Sequence, residues 1–269
     1  MADRLDLDAL QASLAGTMFQ GKLHLFSSIE STNTFAMQEG AKGAPQGSVY
    51  IAEEQTAGRG RGDHSWHSEP YCGLYVSVLL RPQVPAADGL WLSLATGLAV
   101  QQAVEHVTGL VTDIRWPNDL LLGGRKVGGV LLEMNAEAAR VRYAVIGIGI
   151  NVNHRQFPPD LRSLATSLRL ETDRAPARQD LLVAVLESLL HEIDSLIQPE
   201  KFAAACAGIL ARIEKKSSWI RGKQVFVEEA GGYTGVTAGL DDKGFLRVRT
   251  DDGVRRVLSG GVRERFAKG

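Results

Sequence analysis

The chain has 269 residues and a mass of 29.1 kDa, enough for one large core with a small appended module. Hydrophobic residues make up 44% and charged residues 23%, as in soluble globular enzymes, and a formal net charge of −1 leaves no basic field to hold nucleic acid non-specifically. Cys72 and Cys206 are too few for a disulfide framework and lack metal-ligand spacing, so they read as reduced thiols. The N-terminal residues mix charge into the first turn without an apolar signal region. The most apolar runs, 143–150 and 181–190, are far too short to span a bilayer, and a soluble, cytoplasmic protein is expected.

Short apolar or alternating runs predict strands at 23–26, 48–53, 73–81, 127–133 and 141–150. Residues 92–107 are apolar nearly all round and stop at Gly109, which predicts a buried helix with a glycine C-cap. Leu182, Leu186, Leu189, Ile193 and Leu196 recur at three- and four-residue spacings, an amphipathic helix, and Pro199 predicts the start of another running to Ile213. Strands and helices mix without strict βαβ repetition, which points to an α+β fold with a mixed β-sheet and flanking helices. Residues 214–222 read as a polar, flexible linker. Beyond it, short strands at 224–229, 233–240, 245–250 and 255–258 are cut by the turn signals 230–232, 241–244 and 251–253, a meander suited to a small β-barrel. The expected division is 1–218 and 219–269.

Five segments stand out chemically. Glu30-Ser31-Thr32-Asn33 precedes a short helix and fits an N-cap, a position where small polar ligand groups also dock. In Gln55-Thr-Ala-Gly58-Arg59-Gly60-Arg61-Gly62 the glycines expose amide N–H groups and the arginines supply fork-shaped donors for phosphate or carboxylate. It lacks the Gly-Lys-Ser/Thr end of a Walker loop, and by itself it equally fits a surface hairpin with solvated arginines. Arg115-Trp116-Pro117-Asn118-Asp119 fixes two polar side chains at a turn, although an Asn-Asp turn after a buried tryptophan is common in its own right. Gly124-Arg125-Lys126-Val127-Gly128-Gly129 starts a strand with a lysine suited to clamp an oxyanion. Gly147-Ile-Gly149-Ile-Asn151-Val-Asn153 has glycines that would weaken a strand unless something packs against its backbone; without a third glycine and a following helix it is no dinucleotide fingerprint. His64 and His67 flank Trp66 in a His-x-x-His pattern, but no third ligand lies nearby in sequence and a zinc site is discounted.

In this order and spacing, Ser-Thr-Asn, Gln-x-x-Gly-Arg-Gly-Arg, Trp-Pro-Asn-Asp, Arg-Lys-x-x-Gly and Gly-x-Gly-x-Asn resemble the catalytic domain of biotin protein ligases, over about residues 23–213. The C-terminal strands resemble that family's small SH3-like β-barrel. The resemblance implies a sheet related to class II aminoacyl-tRNA synthetases and an enzyme that makes biotinyl-adenylate from biotin and ATP, with ATP-bound Mg²⁺. Biotin then passes to a lysine of the biotin carboxyl carrier protein of acetyl-CoA carboxylase. By that resemblance Ser31, Thr32, Asn33 and Gln55 line the biotin site, Gly58, Arg59, Gly60 and Arg61 form the loop over biotin and the phosphate, and Lys126 and Gly128 approach from the opposite side. Trp66, Asn118 and Asn151 would meet the adenylate with Arg61 and Lys126, and Asp119 would serve the incoming lysine as positioning group or base. Arg59, Arg61, Lys126 and Asp119 are then the catalytic set, and no protein-held metal is implied.

Two places depart from the family pattern. Asp63 and His64 stand where Gly and Arg are commonest, removing one fixed positive charge, and Arg115 stands where Lys is frequent. The rivals are a lipoate or octanoate ligase of the same superfamily, a biotin-sensing DNA-binding repressor and a pure binding module. The second is disfavoured because only about twenty residues precede the first strand, too few for a helix-turn-helix. The third is disfavoured because three cations converge on a site that would need only neutral contacts. No nucleic-acid or membrane partner is expected, and monomer or homodimer stays open.

Overall fold

The computed structural model describes residues 4–62, 64–137, 140–229, 231–258 and 261–264. Helix α1 (Leu7–Ser13) starts at Asp6, whose carboxylate caps the amides of Asp8 and Ala9, and leads to β1 (Leu23–Phe26), α2 (Thr32–Ala41), β2 (Val49–Ala52) and β3 (Gly73–Leu80). Then come α3 (Leu90–Thr108), β4 (Asp113–Arg115), β5 (Asp119–Leu122), β6 (Arg125–Glu137), β7 (Arg140–Asn151) and α4 (Leu168–Thr172). After α5 (Arg178–Asp194) and α6 (Phe202–Lys216), the chain ends in β8 (Arg221–Val227), β9 (Tyr233–Leu240), β10 (Leu246–Thr250), β11 (Gly253–Val257) and β12 (Val262–Glu264).

The first seven strands form one sheet in the order β1-β2-β3-β7-β6-β5-β4, parallel between β1 and β2 and antiparallel elsewhere. Every residue of β3 is buried, which is why it reads as an unbroken apolar run: helices or neighbouring chain cover both faces. Helix α3 packs along α5 and ends at Gly109 in the left-handed conformation, φ 75°, as the glycine C-cap predicts. The last five strands form an antiparallel sheet, β11-β10-β9-β8-β12, which agrees with the SH3-like expectation. Among the described residues no helix is long and apolar enough to cross a membrane.

Two expectations are corrected, and a third falls partly outside the described residues. Helix α6 begins at Phe202 rather than Pro199, because residues 199–201 form a turn. The turn signal at 230–232 includes Ala230, which lies outside the described residues. The flexible linker is not one: residues 214–216 complete α6, and Ser217, Trp219 and Ile220 are buried. Ser217 Oγ donates to Ile114 O at 2.5 Å, while the Arg115 guanidinium and Lys223 Nζ lie over the Trp219 rings at 5.3 and 5.5 Å. Further along, Trp116 Nε1 donates to Gly244 O at 2.9 Å, so the β9–β10 turn is bonded to the segment between β4 and β5 of the seven-stranded sheet. One apolar cluster runs from Leu5 through Trp116 to Val262. Proteases should therefore spare residues 214–222 in the native protein and cut first at exposed turns such as 251–253. Early cleavage within 214–222, followed under limited digestion by native gel electrophoresis, would show that this packing opens.

Candidate active site

The glycine-rich segment leaves β2 and folds back on itself. Gly60 N donates to His64 O at 2.7 Å and Trp66 N to Gly58 O at 2.8 Å, which makes a closed hairpin. A Cβ at Gly58 would lie 2.7 Å from Trp66 O, so the hairpin closes only with glycine there. The hairpin places Arg59, Arg61 and Trp66 over the middle of the sheet, across from Lys126 on β6. Together with the start of α2 they line an open cavity.

Polar side chains line one part of this cavity as a single hydrogen-bonded chain. Ser31 caps α2, accepting from Thr34 N, and so presents the next two residues inward. Thr32 donates through N and Oγ1 to Gln55 Oε1 (2.9 and 3.1 Å), and Gln55 Nε2 donates to Ser68 Oγ at 3.2 Å. Ser77 Oγ on β3 reaches Thr32 Oγ1 at 2.8 Å and Asn33 Oδ1 at 2.7 Å. Asn33 Nδ2 donates to Glu133 Oε2 at 2.8 Å, and Glu133 takes the Arg59 guanidinium in a two-point pair at 2.9 and 3.1 Å. The network thus orients the amide and hydroxyl groups and couples them to the first arginine of the loop.

Charge gathers in the other part. Asp119 Oδ1 pairs with Lys126 Nζ at 2.5 Å and Asp119 Oδ2 with Arg115 Nη2 at 2.6 Å. Burial alone would raise the Asp119 pKa, but the two cations and their hydrogen bonds outweigh it and hold the carboxyl below its ordinary value of 3.8. Arg61 Nη1 donates to Asn118 Oδ1 at 3.4 Å, and its burial works against its charge. Lys126 Nζ also sits 5.3 Å from the centre of the Trp66 ring. Arg59, Arg61 and Lys126 bring three cationic groups to the cavity wall, an arrangement suited to an anion. Trp66 Nε1 is buried and has no hydrogen-bond partner among the described residues, which leaves a donor for a ligand oxygen.

Residues 25–151 match the model of the Biotin/lipoate A/B protein ligase family and residues 221–262 that of the Biotin protein ligase C terminal domain. Biotin--[acetyl-CoA-carboxylase] ligase of Mycobacterium tuberculosis is 35% identical over 244 residues, covering 88% of this chain and 86% of that protein. Bifunctional ligase/repressor BirA of Bacillus spizizenii is 35% identical over 242 residues, 87% of this chain and 71% of that one. This chain belongs to the biotin protein ligase family. Biotin protein ligase from Aquifex aeolicus, solved in complex with biotin and ATP, superposes with a TM-score of 0.77 at 29% identity over 91% of this chain and all of that one. A biotin protein ligase is an ATP-dependent enzyme, so the cationic side chains of the cavity have an anionic substrate to meet.

Within this biotin protein ligase, Ser31, Thr32, Asn33, Gln55, Arg59, Gly60, Arg61, Trp66, Asn118 and Lys126 all line the cavity. Four other residues singled out from sequence do not. Gly58 is inside the hairpin, and Asp119 lies behind Lys126 as its partner. Gly128 pairs with β7 under Leu120, and its neighbour Gly129 lines the cavity instead because a Cβ there would meet Lys126 and Trp66. Asn151 is buried, and its amide donates to the carbonyls of Thr166 at 3.1 Å and Lys126 at 3.4 Å, so it holds the lysine-bearing segment from below. Asp63 lies outside the described residues; His64 contributes its carbonyl to the hairpin. Gly147 and Gly149 are explained by the side chains packed on them: a Cβ at Gly149 would fall 2.5 Å from the Trp66 indole, and one at Gly147 would collide with the Asn33 amide. Sequence reasoning missed Ser77 and Glu133.

Proposed function

We propose that the cavity binds biotin along the Gln55–Thr32–Ser77–Asn33 chain and the phosphates of ATP among Arg59, Arg61 and Lys126, and that the enzyme transfers biotin to a lysine of a biotin carboxyl carrier protein. The observation that carries this reading is the meeting, in one cavity, of an amide–hydroxyl network with the guanidinium groups of Arg59 and Arg61 and the ammonium group of Lys126. A ureido ring needs the first; a carboxylate approaching a phosphate needs the second. In the first step a biotin carboxylate oxygen bonds to the α-phosphorus and pyrophosphate leaves with the P–O electron pair. In the second an uncharged lysine amine attacks the anhydride carbonyl, AMP leaves with the C–O electron pair, and the amine's surplus proton passes to water. No covalent enzyme intermediate is needed, because the mixed anhydride is itself the activated acyl group.

Asp119 fits the role of positioning Lys126 and Arg115. A carboxylate held below its ordinary pKa is a weak proton acceptor, which disfavours the general-base role. Mg²⁺ would arrive with ATP: Asp119 and Glu133 are already paired with cations and offer it no idle carboxylate. A cytoplasmic location and the functional division into 1–218 and 219–269 belong to the same proposal. To test the transfer, the enzyme is incubated with ATP, biotin and a carrier domain. The carrier should gain the mass of one biotinyl group, and a carrier with its acceptor lysine changed to arginine should gain none.

The Arg61 contact yields a sharper expectation. With no covalent trap, only non-covalent contacts retain the adenylate, and one charge-assisted guanidinium contact is worth roughly 1.5–3 kcal/mol, about tenfold to a hundredfold in escape rate. Arg61→Gly should still form the adenylate but release it, labelling lysines of an unrelated bystander protein detected with streptavidin. Labelling no higher than wild type, with adenylation intact, would assign retention to another group.

A further inference from the structure

A cluster remote in sequence stands beside the loop. Among the described residues, His67, Glu69 and His154 bring one ligand atom each to within 4.8 Å of one another. His67 and Glu69 follow Trp66 on the strand of chain that returns from the hairpin; His154 follows β7, where Asn153 N donates to Cys72 O at 2.6 Å and fastens the two segments side by side. His154 is completely buried, and its Nδ1 has no hydrogen-bond partner among the described residues, although a buried imidazole nitrogen ordinarily has one.

The ring is held in place by its neighbours. Tyr75 Oη gives its one proton to Glu69 O at 2.9 Å, so toward His154 Nε2, 3.4 Å away, it can only accept. The Tyr75 hydroxyl thus engages Nε2, while Nδ1 has no partner among the described residues. Phe157 stacks on the ring with centroids 5.2 Å apart and an interplanar angle of 13°, which limits its rotation. An oriented imidazole whose second nitrogen is engaged by an oxygen is the arrangement found around metal-ligating histidines.

We propose that His67, Glu69 and His154 bind a divalent transition ion of the zinc class, which ties the outgoing foot of the Gly58–Trp66 hairpin to the end of β7. Two imidazoles and one carboxylate form a borderline-soft set that suits zinc and leaves a fourth position to water. Bonds of about 2.0–2.2 Å in a tetrahedron put ligand atoms about 3.4 Å apart, so the cluster must contract on binding. His67 and Glu69 are partly exposed and can make that movement, while buried His154 stays as the anchor.

The test uses the whole protein, stripped with a chelator and titrated with Zn²⁺ against a chromophoric competitor. Wild type should bind one zinc ion per chain, and Co²⁺ in its place should give the intense visible bands of tetrahedral coordination. His67→Ala and Glu69→Gln, both at partly exposed positions and checked for fold by circular dichroism, should each weaken zinc at least about a hundredfold. His106→Ala, on the far end of α3, should bind zinc as wild type does. Absence of saturable binding in the wild type, or wild-type affinity in the His67 and Glu69 variants, overturns the proposal.

Discussion

Lys126→Ala is expected to slow biotin-dependent adenylate formation by about 10²–10³-fold, the equivalent of roughly 2.7–4 kcal/mol of transition-state stabilisation. Two anions meet in this step, and Lys126 is the cation that faces the hairpin arginines across the cavity. The fold should survive, because Asp119 keeps the Arg115 guanidinium at 2.6 Å and is not left as a bare buried charge. The lysine side chain is about one-third exposed, so its removal opens no sealed void. Arginine at this position keeps the charge but must fit a planar fork where the space between Gly129 and Trp66 accepts a slim ammonium, and it should rescue only part of the rate. Adenylation in Lys126→Ala within a few-fold of wild type, by single-turnover kinetics, would remove the lysine from the mechanism.

The largest effect on stability is expected at Arg178, outside the cavity. Its side chain is 0% exposed and its Nη1 meets Glu53 Oε2 at 2.7 Å and Gly73 O at 3.1 Å, while Glu53 Oε1 accepts from Leu5 N at 2.8 Å. The pair thus joins α5, the end of β2, the start of β3 and the N-terminal segment. Arg178→Met leaves the Glu53 carboxylate buried without its cation and should cost about 3–5 kcal/mol in urea denaturation. Glu53→Leu combined with Arg178→Met should cost less than Arg178→Met alone, because an apolar pair leaves no stranded charge. A loss below about 1 kcal/mol for the single variant would mean that water reaches Glu53 and the pair acts as a surface ion pair.

The parts of the site legible in the sequence are those whose chemistry is local. The Gly-Arg-Gly-Arg hairpin, the Ser31 cap and the lysine at the head of β6 each carry their reason within a few residues. Gly147 and Gly149 were legible as an anomaly: glycines in an apolar strand imply a close neighbour, here Asn33 and Trp66. Ser77 and Glu133 were not, because each is one polar residue in a strand and acquires meaning only from partners 44, 74 or 100 positions away. The same distance in sequence hides His154 from His67 and Glu69. The linker was misread because Glu214, Lys215 and Lys216 dominate the composition there, while Trp219 and Ile220 decide the packing.

Biotin-dependent exchange of labelled pyrophosphate into ATP, with no carrier protein present, tests the central claim most directly, since it isolates the first half-reaction. The cavity predicts exchange that requires biotin and is not supported by lipoate or octanoate at equal concentration, because only biotin presents a ureido ring to the Gln55–Thr32–Ser77–Asn33 chain. Exchange driven equally well by lipoate or octanoate, or no exchange with biotin by a folded protein, would contradict the account.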